Sequence, residues 1–187
     1  MGQLKAIITD FDGTLVDTMM ANYYAYSEAF EINGLSLSEE EYKERYGMRF
    51  DDLCKSLNIK DDEVKRNIKE LKSKLYPKYF NKIRVNNDLL SFIMLCKKQG
   101  MKTCIASTAS KINLYGVLNH FKLRDYFDVI ITGEDVKYGK PNPEVYYKSI
   151  EALDCFSEDV LVFEDSDIGC KAADDVGASY VKITNFL

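Results

Sequence analysis

Five short runs rich in β-branched and other apolar residues punctuate the chain: Lys5 to Thr9, KTCIAS at 102–107, DVIIT at 128–132, VLVFE at 160–164 and SYVKI at 179–183. From about residue 85 they alternate with stretches of helical periodicity. Strands that alternate with helices join by βαβ crossovers, so the pattern restricts the chain to an α/β fold, a Rossmann-like parallel five-stranded sheet. Short continuous apolar runs suit such strands, because helices cover both sheet faces. NNDLLSFIMLCKKQG at 86–100 ends on Lys97, Lys98 and Gly100, as a helix C-terminus should. SKINLYGVLNHF (110–121), PEVYYKSIEAL (143–153) and DIGCKAADDVG (167–177) are further helices. Asn142 before Pro143 reads as an N-cap and first-turn pair, and Gly177 as a stop.

Residues 17 to about 84 break this rhythm. They contain no convincing strand and read as three or four helices, with Gly34, Gly47 and Asn58 near the breaks and a capping box at Ser38 and Glu41. The expected organisation is a discontinuous core of 1–16 and 85–187, interrupted by an α-helical cap domain of 17–84. The charged run from Lys60 to Lys74 mixes both signs and reads as a solvated face.

Composition removes several function classes. With 46% hydrophobic residues in 187, the chain can bury a globular core. A net charge of −5 argues against a nucleic-acid surface, although not against small anionic ligands. No run is long enough to span a membrane, and the apolar stretch before Asp10 is too short for a signal peptide. Five cysteines without a C-x-x-C pair read as buried hydrophobes of a reducing, cytoplasmic setting. His120 is the single histidine, so histidine triads and multi-histidine zinc sites lack material; it reads as a helix-end residue. A monomer or weak dimer is expected.

Ligands of open parallel sheets bind beyond the carboxyl ends of the strands. Four such ends are chemically rich here. The first delivers Asp10 and Asp12, the second Ser107 and Thr108, the third a loop carrying Lys140, and the fourth Glu164 and Asp165. Like charges so close repel one another, and burial penalises them further. A hard divalent cation would offset that; clustered carboxylates suit Mg2+, which keeps several waters. An EF-hand calcium loop fails on spacing: counted from Asp10, Gly13 is fourth and Ala21 twelfth, where glycine at six and glutamate at twelve are needed. Metal, carboxylates and lysine together suggest phosphate chemistry, with an aspartate nucleophile and a second acid for proton transfer.

The segments DFDGTLVDT, IAST, GKPNPEVY and VFEDSDIG resemble, in order and spacing, the four motifs of the haloacid dehalogenase-like hydrolase superfamily. The likeness covers nearly the whole chain. It is nearest to the helical-cap group that includes β-phosphoglucomutase and phosphoglycolate phosphatase. The resemblance implies that Asp10 is the nucleophile and a Mg2+ ligand. Asp12 would be the general acid/base, with its carbonyl on the metal and Thr14 steadying it. Ser107, with Thr108, Gly13 and Thr14, would hold the phosphoryl group, and Lys140 would neutralise it. Asp165 would ligate the metal, with Glu164 in its first or second shell, and Asp167 would be a further acid or a helix cap. Closure of a mobile cap would complete the site. Because dehalogenases of this superfamily lack an aspartate at the position of Asp12, the resemblance favours a phosphatase of a small phosphorylated metabolite.

Two alternatives stand beside it. A sugar phosphomutase would carry histidine and tryptophan where this chain has Asn22 and Tyr26, while Arg49 lies near the place of a phosphate-binding cap arginine. A catalytically silent binder would be expected to have lost a motif residue. The blander readings are that Ser107 and Thr108 cap a helix, that Tyr23, Tyr24 and Tyr26 pack the cap, that Arg45 and Arg49 are solvated, and that Asp17 caps the first cap helix. The chain stops four residues after the fifth strand and its cap is compact, so a small or partly exposed substrate is expected.

Overall fold

The computed structural model describes residues 4–184. In chain order its elements are β1 (Ala6–Thr9), β2 (Val16–Asp17), α1 (Met19–Ile32), α2 (Glu39–Lys43), α3 (Phe50–Ser56), α4 (Asp62–Leu75), β3 (Arg84–Val85), α5 (Asn87–Lys98), β4 (Lys102–Ala106), α6 (Lys111–His120), β5 (Val129–Ile131), α7 (Glu144–Ala152), β6 (Val160–Glu164), α8 (Asp167–Asp175) and β7 (Ser179–Lys182). The main sheet runs β5-β4-β1-β6-β7, all parallel. The expected five-stranded α/β architecture is therefore present, with β1 at its centre. No helix among the described residues is long and apolar enough to cross a membrane.

Side chains alternate across a strand, so Ala6 and Ile8 share one face of β1 while Ile7 and Thr9 share the other. The register sets Ile8 beside Cys104 and Val162. With Ala6, Ala106 and Val160 they pack against Val145, Tyr146 and Ile150 of α7 and Ala172 and Ala173 of α8. All four residues of β1 are buried. By contrast β7, an edge strand that pairs only with β6 among the described residues, is exposed along its length.

The chain divides into two compact units: Met1–Asp17 with Val85–Leu187, and Thr18–Arg84. The second is helical and has its own core of Ala29, Phe30, Leu37, Tyr42, Leu53 and Ile68. Tyr26 sits in an aromatic cluster within this unit, its ring stacked on Phe50 and edge-on to Phe30. The Ser38–Glu41 capping box is formed. Gly34, Gly47 and Asn58 all have positive φ, which ends the helices near them.

Several local expectations need correction. The two short strands β2 and β3 form a separate two-stranded sheet that no hydrophobic pattern announced, since two residues carry no period. The residue capping α1 is Thr18 rather than Asp17, and α8 is capped by Ser166, whose hydroxyl accepts from Gly169 N–H, rather than by Asp167. Asp167 pairs with Lys182 instead. At α7 the helix begins one residue late, after Pro143; the Asn142 side chain still accepts from Glu144 N–H at 3.0 Å.

Candidate active site

The centre of the sheet brings the acids together. β1 ends at Thr9, and Asp10 follows it with its N–H bonded to Phe163 O of β6 at 2.8 Å. That ladder bond fixes Asp10 beside the end of β6, where Glu164 and Asp165 lie. Carboxylate oxygens of Asp10, Glu164 and Asp165 all fall within 4.8 Å of one another. The turn beyond Asp10 is tight: Gly13 has φ +94°, and a Cβ there would overlap the Asp165 carboxylate. Only glycine suits both the left-handed backbone and that approach.

Lys140 reaches this cluster from the loop after β5. Its ammonium lies 2.6 Å from Asp10 Oδ1, bonds Glu164 Oε1, and is 3.3 Å from Ala106 O. The three side chains are 6%, 11% and 1% exposed for Lys140, Asp10 and Glu164, so this is a buried ion network whose partners cannot be removed singly without large penalty. Glu164 is the most heavily bonded of them. Oε1 also accepts from the buried Tyr146 hydroxyl at 3.0 Å, while Oε2 accepts from Asp165 N–H, Ser166 N–H and the Ser166 hydroxyl at 2.9–3.0 Å. Gly169 of α8 presses on it, since a Cβ there would overlap the Glu164 carboxylate.

The electrostatics follow from this packing. Burial pushes the Asp10 carboxyl well above its ordinary range; Lys140 opposes this, and Glu164 and Asp165 add to it. Burial, then Glu164, likewise raises the Asp165 carboxyl, against the Thr14 hydroxyl. Burial also works against the Glu164 carboxylate, but Lys140 and its hydrogen-bond donors hold it below the usual value. Lys140 itself stays charged: burial disfavours the ammonium, and Asp10, Tyr146 and Glu164 outweigh that. Three acids thus face one lysine. The donor set is all oxygen and buried, and ionising Asp10 and Asp165 beside Glu164 would leave more negative charge than Lys140 alone offsets, which fits a hard divalent cation such as Mg2+. Asp10 and Asp165 are the side chains that would hold it, with Glu164 adjacent.

Thr14, expected to steady Asp12 and touch phosphate, is fully buried and donates to Asp165 Oδ1 at 3.0 Å instead. Gly13 N–H is taken up by Val16 O at 2.8 Å, so it is not a donor for phosphate here. Asp12 is half-buried, bridges to Val16 through its backbone, and its carboxylate stands outside the three-acid cluster. Ser107 is buried beyond β4, and its hydroxyl accepts from Ala109 N–H at 3.0 Å. The α6 N-cap is Ser110, so Ser107 and Thr108 are not the helix caps of the bland reading. Thr108 is half-buried, and its carbonyl lies so close to Gly133 that a Cβ there could not fit. Asn22, Tyr26 and Arg49 belong to the helical unit: Asn22 N–H bonds Thr18 O within α1, and Arg49 is the N-cap of α3. Sequence reasoning missed Tyr146 and Gly169, which carry only apolar or small-residue signals.

Beyond the central strand of an α/β sheet, a buried aspartate thus meets a lysine and two further acids from the next strand end. The chain belongs to the haloacid dehalogenase-like hydrolase family, whose family model matches residues 7–183. Among its relatives is the phosphorylated carbohydrates phosphatase of Thermotoga maritima, 31% identical over 182 residues, which span 93% of this chain and 82% of that protein. CbbY from Rhodobacter sphaeroides, solved in complex with phosphate, aligns with a TM-score of 0.89 at 25% identity, covering 98% of this chain and 88% of that one. A β-phosphoglucomutase from Clostridium difficile aligns at 0.84 with 26% identity, covering 98% and 86%.

Proposed function

We propose that this hydrolase is a Mg2+-dependent phosphatase that cleaves a small phosphorylated metabolite, a sugar phosphate or similar, through an aspartyl-phosphate on Asp10. The observation that carries the reading is the buried contact of Lys140 with Asp10 beside Asp165 and Glu164 at the ends of β1 and β6. The names of the relatives support the substrate class.

In the first half-reaction a carboxylate oxygen of Asp10 attacks phosphorus and the phosphorus–ester oxygen bond breaks. Asp12, as the carboxylic acid, gives its proton to the departing alkoxide. In the second, the Asp12 carboxylate takes a proton from water, whose oxygen attacks phosphorus. The bond to Asp10 breaks, releasing inorganic phosphate and restoring both side chains. In both half-reactions the Lys140 ammonium offsets charge that develops on the phosphoryl oxygens in the transition state. Ser107, already oriented by accepting from Ala109 N–H, donates its hydroxyl hydrogen to one of those oxygens. A cation on Asp10 and Asp165 would supply Lewis-acid stabilisation of the same charge.

The test is a phosphate-release screen over metabolite phosphates with Mg2+ and with chelator. Release that needs Mg2+ and is greatest for sugar phosphates is expected. Transfer of the phosphoryl group to another position of the substrate, without release, would point to a mutase; no turnover by well-folded protein would point to a binding role.

A further inference from the structure

We infer that Glu144 is a positioning residue for Lys140, tying down the backbone of the loop from which Lys140 reaches Asp10. The inference rests on the role proposed above for Lys140. Lys140 stands in residues 132–143, which contain no helix or strand. Sheet hydrogen bonds therefore do not fix its backbone. A flexible four-carbon stem cannot by itself hold an ammonium 2.6 Å from Asp10 in a buried setting, so the loop must be held elsewhere.

The fastening is Glu144, in the first turn of α7. Its Oε2 turns back and accepts from Lys137 N–H at 2.9 Å and Tyr138 N–H at 2.8 Å. Oε1 lies 3.1 Å from both Lys137 N and Lys148 Nζ. A second tie closes the ring: Asn142 N–H bonds Gly139 O at 3.0 Å, and Asn142 Oδ1 accepts from Glu144 N–H. Lys140 lies within the span these bonds close. A glutamate answering only the helix dipole would gain from proximity to the α7 N-terminus and need no bond to the preceding loop. Here one oxygen takes two N–H groups seven and six residues upstream, three and two residues before Lys140.

Both N–H groups belong to exposed residues, so water can replace the lost acceptor. Removing Glu144 should then change where Lys140 sits more than whether the protein folds. Because Lys140 acts on charge that develops in the transition state, the loss should fall on kcat rather than KM.

The experiment measures Mg2+-dependent hydrolysis of p-nitrophenyl phosphate by the full chain and by Glu144→Ala, Glu144→Gln, Glu144→Asp, Lys140→Ala and the double variant Glu144→Ala/Lys140→Ala. A misplacement on the order of 1 Å can reduce rate about 100-fold, so Glu144→Ala should lower kcat at least ~10-fold with KM within about threefold. Glu144→Gln should recover to within about threefold of the parent, since its amide oxygen can still accept both N–H groups. In the Lys140→Ala background, Glu144→Ala should cause no further fall, as expected of residues acting as one unit. Glu144→Ala with unchanged kcat, Glu144→Gln as impaired as Glu144→Ala, or an equal loss in the Lys140→Ala background would overturn the inference while leaving the proposed chemistry standing. Should Glu144→Ala not fold, Glu144→Asp, too short to reach both N–H groups, takes its place with the same criteria. Full activity in Lys140→Ala would overturn the role of Lys140 and this inference together.

Discussion

Replacing Gly169 by alanine sets two effects of opposite sign against each other. In a helix interior, Gly→Ala stabilises by about 1 kcal/mol through propensity, an upper bound for Gly169 in the first turn of α8. At this position, however, the new methyl would occupy the Glu164 carboxylate. Glu164 is buried at 1% exposure and receives the Lys140 ammonium, the Tyr146 hydroxyl, two backbone N–H groups and the Ser166 hydroxyl. Overpacking costs roughly 1–3 kcal/mol, and each hydrogen bond to a charged group contributes about 1.5–3 kcal/mol. Loss of even one such bond with modest overpacking exceeds the propensity gain; loss of two gives a net destabilisation of at least roughly 3 kcal/mol. The displaced carboxylate also releases one of the two acids that hold Lys140, so kcat should fall at least ~10-fold. Urea denaturation with activity measured in parallel tests both expectations. Equal or greater stability with unchanged kcat would refute the claim that α8 locks Glu164 in place.

Other outcomes follow from the same contacts. Thr14→Val removes the hydroxyl that orients Asp165, and supporting groups around metal ligands are worth about 10–100-fold in metal affinity. The Mg2+ concentration giving half-maximal rate should rise by that factor; an unchanged titration would contradict the role of Thr14. Glu144 offers a pH test. The Tyr138 and Lys137 N–H groups pull its carboxyl down to about 2 from 4.5. A depressed folded-state value means that its stabilising contribution is complete above about 4.5 and is lost as pH falls through about 2. The stability gap between the parent and Glu144→Gln should therefore be constant near neutral pH and narrow as pH falls below about 4.5; a gap that widened on acidification would contradict the clamp.

The strands were legible because each is a run of β-branched residues bounded by polar turns, and the acids because carboxylates at strand ends stand out against those runs. The meeting of Asp10, Glu164 and Asp165 at one point follows once β1 and β6 are neighbours, which the strand order supplies; Lys140 joins them from the loop after β5. What escaped reading depends on contacts between distant segments. Thr14 sits two residues from Asp12 in sequence but donates to Asp165, 151 residues away. Glu144 reaches backwards into a loop, and Gly169 is held to glycine by a carboxylate from another element. The helix starts moved by a residue at α1, α7 and α8, because neighbouring Ser, Thr, Asn and Asp compete for the same N–H groups and local geometry picks the winner.

The central claim is that Asp10 carries the phosphoryl group and Asp12 provides the base that removes it. Asp12→Ala should accept phosphate from an activated ester with a good leaving group, such as p-nitrophenyl phosphate, yet release it slowly. Peptide mass spectrometry after rapid acid quench is the direct measurement. A hydroxylamine-labile phosphoryl adduct on Asp10, absent when Asp10 is also replaced by asparagine, is the expected result. Burst-free turnover with no adduct on the protein, or an adduct on another residue, would contradict it.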